Sequence, residues 1–157
     1  MKNLMVALAI FLCSSVFAAT YDEGLEALKN KNYPTAAKIF IQLAELGNAD
    51  AQSALGDLYR AGLGVPQNLN EAFKWYRCSA ERGNAGAQSV LGAMYLQGLG
   101  VPQSYKEALN WHEKAAEQGN AFSQSILGIM YSKGMGIQQD AEKAAKWYRK
   151  AAENGDA

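Results

Sequence analysis

The chain is 157 residues long, 49% hydrophobic and 19% charged, with 15 basic and 15 acidic side chains and a formal net charge of zero. This neutral, glycine-rich composition suits one globular domain and excludes a disordered tail, a disulfide-dense scaffold and a protein that follows a phosphate backbone by charge. One histidine and two cysteines are too few for a zinc site or a histidine-based catalytic centre, so neither a metal nor another cofactor is expected.

The first element is a leader. Met1-Lys2-Asn3 is a short cationic start, Leu4 to Cys13 is a run of apolar residues, and Ser14-Ser15-Val16-Phe17-Ala18 follows. A membrane-spanning helix needs about 20 apolar residues, so this run is short for an anchor. It reads as a secretory signal peptide over residues 1–18, with Val16 and Ala18 in the small-residue positions before the cut. A periplasmic or secreted protein is expected, with no stable membrane insertion after cleavage. The competing reading is an uncleaved anchor or an N-terminal core helix. Phe11-Leu12 before Cys13 do not suit a lipidation signal. Without Lys2 and Cys13 the chain would hold 14 basic against 15 acidic groups, net −1, and one cysteine, Cys78.

From Gly47 onward the chain repeats every 36 residues. Gly47-Asn48-Ala49 recurs as Gly83-Asn84-Ala85 and Gly119-Asn120-Ala121, and a variant, Gly155-Asp156-Ala157, follows. Leu55-Gly56, Tyr59, Gly62-x-Gly64 and Trp75 recur in the same register. A period of this length is the mark of a solenoid. Within each unit, Ala51, Leu55, Leu58 and Tyr59 form one helical face, and Ala72, Trp75, Tyr76, Ser79 and Ala80 form another. Gly62 to Pro66 breaks the helix between them. Gly47 is expected to close one helix and Asn48 to cap the next. Gly56, Gly92 and Gly128 fall inside the first helices, where glycine costs about 1 kcal/mol relative to alanine. Their recurrence implies that an aromatic ring of the second helix must approach the backbone there.

The pattern A-x-x-x-L-G-x-x-Y-x-x-G-x-G-V followed by A-x-x-W-Y-x-x-A-A-E-x-G resembles Sel1-like repeats, longer relatives of the tetratricopeptide repeat. The resemblance covers 47–157 as units 47–82, 83–118 and 119–154 plus the start of a fourth. Residues 19–46 look like a degenerate, tetratricopeptide-like first hairpin, with Gly24, Tyr33, Ala36, Phe40 and Ala44 in matching places. There the turn Lys31-Asn32-Tyr33 replaces the Gly-x-Gly loop. The resemblance implies an all-α fold, an α-solenoid of four antiparallel helix pairs in a right-handed superhelix. Solenoid ends need polar caps. No capping helix follows Tyr148, so the Trp147/Tyr148 face is expected to be partly open: a dimerisation surface, a docking end or a frayed terminus.

The residues that suggest chemistry have plainer readings. The Gly-x-Gly loops join two helices and lack the lysine and preceding strand of a phosphate loop. His112 stands where sister repeats carry Tyr76 and Tyr148 and is expected to pack, because no partner completes a catalytic site. Trp75, Trp111 and Trp147 are expected to staple the core. Cys78 aligns with Lys114 and Lys150, which places it on the solvent side, either free or in an intermolecular disulfide. Some cysteine-rich members of the family that this chain resembles are associated with penicillin binding and β-lactamase activity. The paired cysteines of those members and the S-x-x-K, S-D-N and K-T-G motifs of serine β-lactamases are absent here.

The leading expectation is therefore a non-enzymatic adaptor for a partner protein or peptide. It needs no nucleic acid, and it forms a homodimer only if the C-terminal hairpin or Cys78 joins two copies. By the resemblance, the first helix of each pair lines a concave wall. The positions carried over are Asp50, Ser53, Asp57 and Arg60, then Ser89, Ala93, Leu96 and Gln97, then Phe122, Ser125, Ile129 and Lys133. Tyr21, Leu25 and Leu28 extend the row. The wall is charged toward its N-terminal end and apolar toward Phe122 and Ile129, a contrast that suits a protein or peptide site. The alternatives are a cell-wall-active or penicillin-interacting hydrolase and a secreted host-interaction factor.

Overall fold

The computed structural model describes residues 19–155. The leader read over 1–18 lies outside the described residues. Those described form helices and no strand: α1 (Tyr21–Lys29), α2 (Tyr33–Glu45), α3 (Ala49–Ala61), α4 (Leu69–Glu81), α5 (Ala85–Gln97), α6 (Tyr105–Glu117), α7 (Ala121–Lys133) and α8 (Ala141–Glu153). Each helix packs chiefly on the one before it and the one after it. Four hairpins thus stack in chain order, as a solenoid requires, because no single pair buries its apolar face alone.

The repeat motifs set the helix ends. The side chains of Asn48, Asn84 and Asn120 accept hydrogen bonds from the backbone N–H groups of Ala51, Ala87 and Ser123 at 2.8, 2.8 and 2.9 Å, satisfying donors that a helix start leaves open. Asn32 caps α2 in the same manner, and Thr20 and Glu23 form a reciprocal capping box on α1. Gly47, Gly83 and Gly119 adopt left-handed φ of 87°, 91° and 85° just before the asparagines. The chain thus reverses between repeats within two residues.

The glycines inside the first helices are contact points. A Cβ on Gly56 would stand 2.9 Å from two ring carbons of Tyr76, one on Gly92 2.8 Å from His112, and one on Gly128 2.6 Å from Tyr148. Gly24 meets Phe40 in the same way. Each hairpin therefore seats one ring against a glycine of its first helix. The second glycine of each Gly-x-Gly loop does a different job. A Cβ on Gly64 or Gly100 would collide with the carbonyl of Tyr33 or Leu69, and one on Gly136 would stand 2.8 Å from the carbonyl carbon of Tyr105. Each loop rests on the first residue of the second helix in the preceding hairpin, so this glycine sets the spacing between repeats.

A third set of positions at the same period binds the hairpins together. The Nε2 groups of Gln52, Gln88 and Gln124, all buried, donate to the carbonyls of Ala44, Ala80 and Ala116 at 3.0, 3.1 and 3.0 Å. Gln118 and Asn154 in turn donate to the Oε1 atoms of Gln88 and Gln124 at 2.7 and 3.0 Å. At the corresponding place in the earlier hairpin stands Arg82, whose guanidinium lies over Gly47, and Gln52 Oε1 is left buried without a partner.

The tryptophans only partly fill the role expected of them. Trp111 is buried, but Trp75 and Trp147 are half-buried. The fully buried ring is the next residue, Tyr76 or His112, at 0% exposure. The helical glycine opens a slot for that residue, and the tryptophan falls at the edge of the stripe. There Lys114 and Lys150 lie over the rings of Trp111 and Trp147, at 4.2 and 4.5 Å from the centroids. In the last hairpin Tyr148 is 42% exposed, and Ala152 is exposed where Ala80 and Ala116 are buried. No described helix covers that face of α8.

Candidate partner-binding groove

The first helices α1, α3, α5 and α7 form one wall, and two adjoining concavities are cut into it. The first, of about 400 Å³, is lined by Tyr21, Leu25 and Leu28 of α1, by Asp50, Ser53, Asp57 and Arg60 of α3, and by Leu63 and Asn84. The second, of about 510 Å³, is lined by Ser89, Val90, Ala93, Met94 and Gln97 of α5, together with Leu99, Phe122 and Arg60. Arg60 borders both. All four positions read from α3 thus meet the three from α1, and Ser89, Ala93 and Gln97 meet Phe122.

Other wall positions stand apart. Leu96 and Ile129 are half-buried, Ser125 is half-buried with a partner of its own, and Lys133 is exposed; none of the four borders either concavity. Phe122, by contrast, is 52% exposed, with its ring edge-on to His112 at 6.4 Å between centroids. The apolar centre expected at Phe122 and Ile129 therefore lies nearer Phe122 and α5. The two share one face of α7, two turns apart: Phe122, in the first turn, borders the concavity beside α5, and Ile129 lies beyond it. Val90, Met94, Leu63 and Leu99 complete the linings without having been singled out from sequence. Their aliphatic side chains carry no chemical signal, and two of them reach the groove from the Gly-x-Gly loops.

The polar end of the groove is held by a small network. The Tyr76 hydroxyl donates to Asp57 Oδ1 at 2.7 Å, while Arg60 donates through Nε to the Tyr76 oxygen at 3.1 Å and through Nη2 to Asp57 Oδ1 at 3.2 Å. Asn84, besides capping α5, donates through Nδ2 to Asp50 Oδ1 at 2.8 Å. Burial, and then the hydrogen bond to the Asp57 carboxylate, push the Tyr76 phenol well above its ordinary value. Burial also raises Tyr21, followed by the charges of Asp50, Asp57 and Asp22. The arrangement is thus a fixed set of acceptors over an aliphatic floor.

His112 shows why one ring can replace another between repeats. It is fully buried, its Nδ1 stands 3.0 Å from Ser123 Oγ, and its Nε2 faces Gly92 without a partner. Desolvation lowers its pKa to about 4, so the ring is neutral. The Ser123 hydroxyl can donate to Nδ1 or accept from it, so the contact suits either neutral tautomer. The ring packs on Gly92 of α5 but makes no hydrogen bond to that helix, whereas Tyr76 bonds Asp57 and Arg60 of α3. The counterparts of Asp57 and Arg60 there are Ala93 and Leu96, so no acceptor for a tyrosine hydroxyl stands at those positions. Among the described residues no group of His, Cys, Asp and Glu is placed to hold a metal ion. Cys78 is exposed on α4, away from both concavities. No helix among the described residues is long and apolar enough to cross a membrane.

Comparison with known proteins agrees with this geometry. The Sel1 repeat family model matches residues 9–48, 49–84, 85–120 and 121–156, the last three at the same 36-residue period and opening at the first residues of α3, α5 and α7. A Sel1 repeat protein from Oxalobacter formigenes is 39% identical with a TM-score of 0.81, over 87% of this chain and 54% of that one. A protective antigen present in uropathogenic Escherichia coli strains, described as displaying an SLR fold, is 38% identical with a TM-score of 0.84, over 87% of this chain and 30% of that one. The chain thus spans about half of the first protein and under a third of the second. The Helicobacter pylori cysteine rich protein B, 20% identical with a TM-score of 0.58, shares the fold. No curated protein matches the chain.

Proposed function

The chain belongs to the Sel1 repeat family, whose repeats mediate protein–protein interaction, and from that premise we propose that it is an exported, non-enzymatic adaptor holding a segment of a partner protein in the groove walled by α1, α3, α5 and α7. The observation that carries this reading is the pair of adjoining concavities on that wall. Within their linings Asp50, Asp57 and Arg60 give way in the next repeat to Gly86, Ala93 and Leu96, whereas Ser53 and Ser89, the asparagine caps and the helical glycines recur unchanged. A scaffold held constant beneath a changing face is how a repeat fold acquires one specificity. Export rests on the leader read at residues 1–18, and the likeness to a protective antigen of a pathogen supports an envelope or extracellular setting.

The test is in-cell crosslinking from a photoreactive residue at Ala93, compared with the same probe at Asn110, exposed on α6. A discrete adduct from Ala93 that is absent from Asn110 is expected, and it should weaken in a Phe122→Ala background whose helicity is unchanged. No adduct from Ala93, or identical adducts from both probes, would refute the groove.

A further inference from the structure

We propose that the groove selects segments that present a lysine or arginine beside a bulky apolar side chain, the cation against Asp50 and Asp57 and the apolar group against Phe122. This rests on the groove reading above and adds the chemistry of the occupant.

Asp50 and Asp57 lie seven residues apart on α3, two turns along one face, and both line the first concavity. Each has one oxygen held from within the protein: Asn84 donates to Asp50 Oδ1, while Tyr76 and Arg60 donate to Asp57 Oδ1. Among the described residues neither Oδ2 atom accepts a hydrogen bond. The carboxylates are therefore oriented in advance, with a lone-pair face left for an incoming donor, the condition under which a charged contact costs least to form. Arg60 is the cation of this lining, and it is already engaged by Asp57 and Tyr76. The Tyr21 phenol, raised first by burial, is raised further by the charges of Asp50, Asp57 and Asp22. An acidic segment would meet these charges unpaired. Leu25, Leu28 and Leu63 supply the aliphatic surface on which the stem of a lysine or arginine can lie while its head reaches the carboxylates.

The second concavity differs in kind. Apart from Arg60 at its border, its lining carries no charged side chain, and Val90, Met94, Leu99 and Phe122 dominate it. Because Arg60 borders both, the two sites adjoin, and one short segment can fill them together.

The experiment is selection of a short random-peptide library on the full chain, followed by fluorescence anisotropy of the enriched peptides on wild type, Asp50→Asn and Phe122→Ala. Asp50→Asn keeps an oxygen for Asn84 while removing the charge, and Phe122 is half exposed, so both variants should fold, which circular dichroism checks. Enriched peptides should carry Lys or Arg together with an aromatic or large aliphatic residue. Asp50→Asn should weaken them about fivefold at low salt and much less at high salt, and Phe122→Ala about tenfold. Peptides without a basic residue, or basic peptides indifferent to Asp50→Asn, overturn this proposal; if they still depend on Phe122, the groove itself stands. Peptides indifferent to both substitutions, or no enrichment at all, refute the groove and the occupant together.

Discussion

Lowering the pH should destabilise this protein through one side chain. His112 is neutral in the folded state, where desolvation lowers its pKa to about 4 from an ordinary 6.5. In the unfolded chain the ring takes a proton as pH falls below 6.5, and the folded chain does not follow until about pH 4. The depressed value therefore means stability that is fully present above pH 6.5 and is lost progressively down to pH 4. At 1.36 kcal/mol per unit, the whole gap amounts to about 3 kcal/mol, of which about 2 kcal/mol is lost by pH 5. That is a large part of the stability of a small domain. His112 is the sole histidine of the chain, so His112→Tyr serves as a clean reference, and Tyr76 and Tyr148 already show a tyrosine seated against the equivalent glycine. Urea denaturation from pH 7.5 to 5.0 should cost the wild type about 2 kcal/mol more than the variant. The His112 ring resonance of folded protein, followed by NMR, should not titrate until near pH 4. Parallel stability curves for the two proteins, or a resonance moving at pH 6.5, would show that the ring is not held neutral by burial.

Three further outcomes follow from the packing. Gly56→Ala inserts a methyl group 2.9 Å from the Tyr76 ring and should destabilise by about 1–3 kcal/mol despite alanine's better helix propensity. Gly128→Ala should cost less, because Tyr148 is 42% exposed and free to swing; equal losses in thermal melts would contradict this. Gly100→Ala combines a φ of 70° with a collision against the Leu69 carbonyl and should cost about 3 kcal/mol, where a loss below about 1 kcal/mol would mean that the repeat spacing is adjustable. Cys78 is exposed, so a maleimide should label it in native protein as fast as in urea, and Cys78→Ser should remove that labelling; slow native labelling would place the thiol inside an interface.

Much of this molecule is legible in one dimension because it repeats. Period 36 was enough to place the helix pairs, their asparagine caps and the turns. It also showed that Gly56, Gly92 and Gly128 meet a ring, because a destabilising residue kept in register must have a steric reason. Local chemistry carries that information: caps, breakers and amphipathic stripes act over a few residues. The groove was legible in part. The residues facing it on α3 followed from the family resemblance, but which of the later positions border a concavity, as Phe122 does and Ile129 does not, depends on how the hairpins seat on one another. The tertiary structure alone decided that the second loop glycine rests on the preceding hairpin, that Gln52, Gln88 and Gln124 tie the stack together, and that His112 rather than Trp111 fills the slot. It also decided that Asn84 and Tyr76 reach from other helices to orient Asp50 and Asp57. Apart from the glutamine bonds to Ala44, Ala80 and Ala116, which span eight residues, these contacts join groups 19 to 34 residues apart in sequence. They are set by how rigid helices seat on one another, and no local preference encodes them.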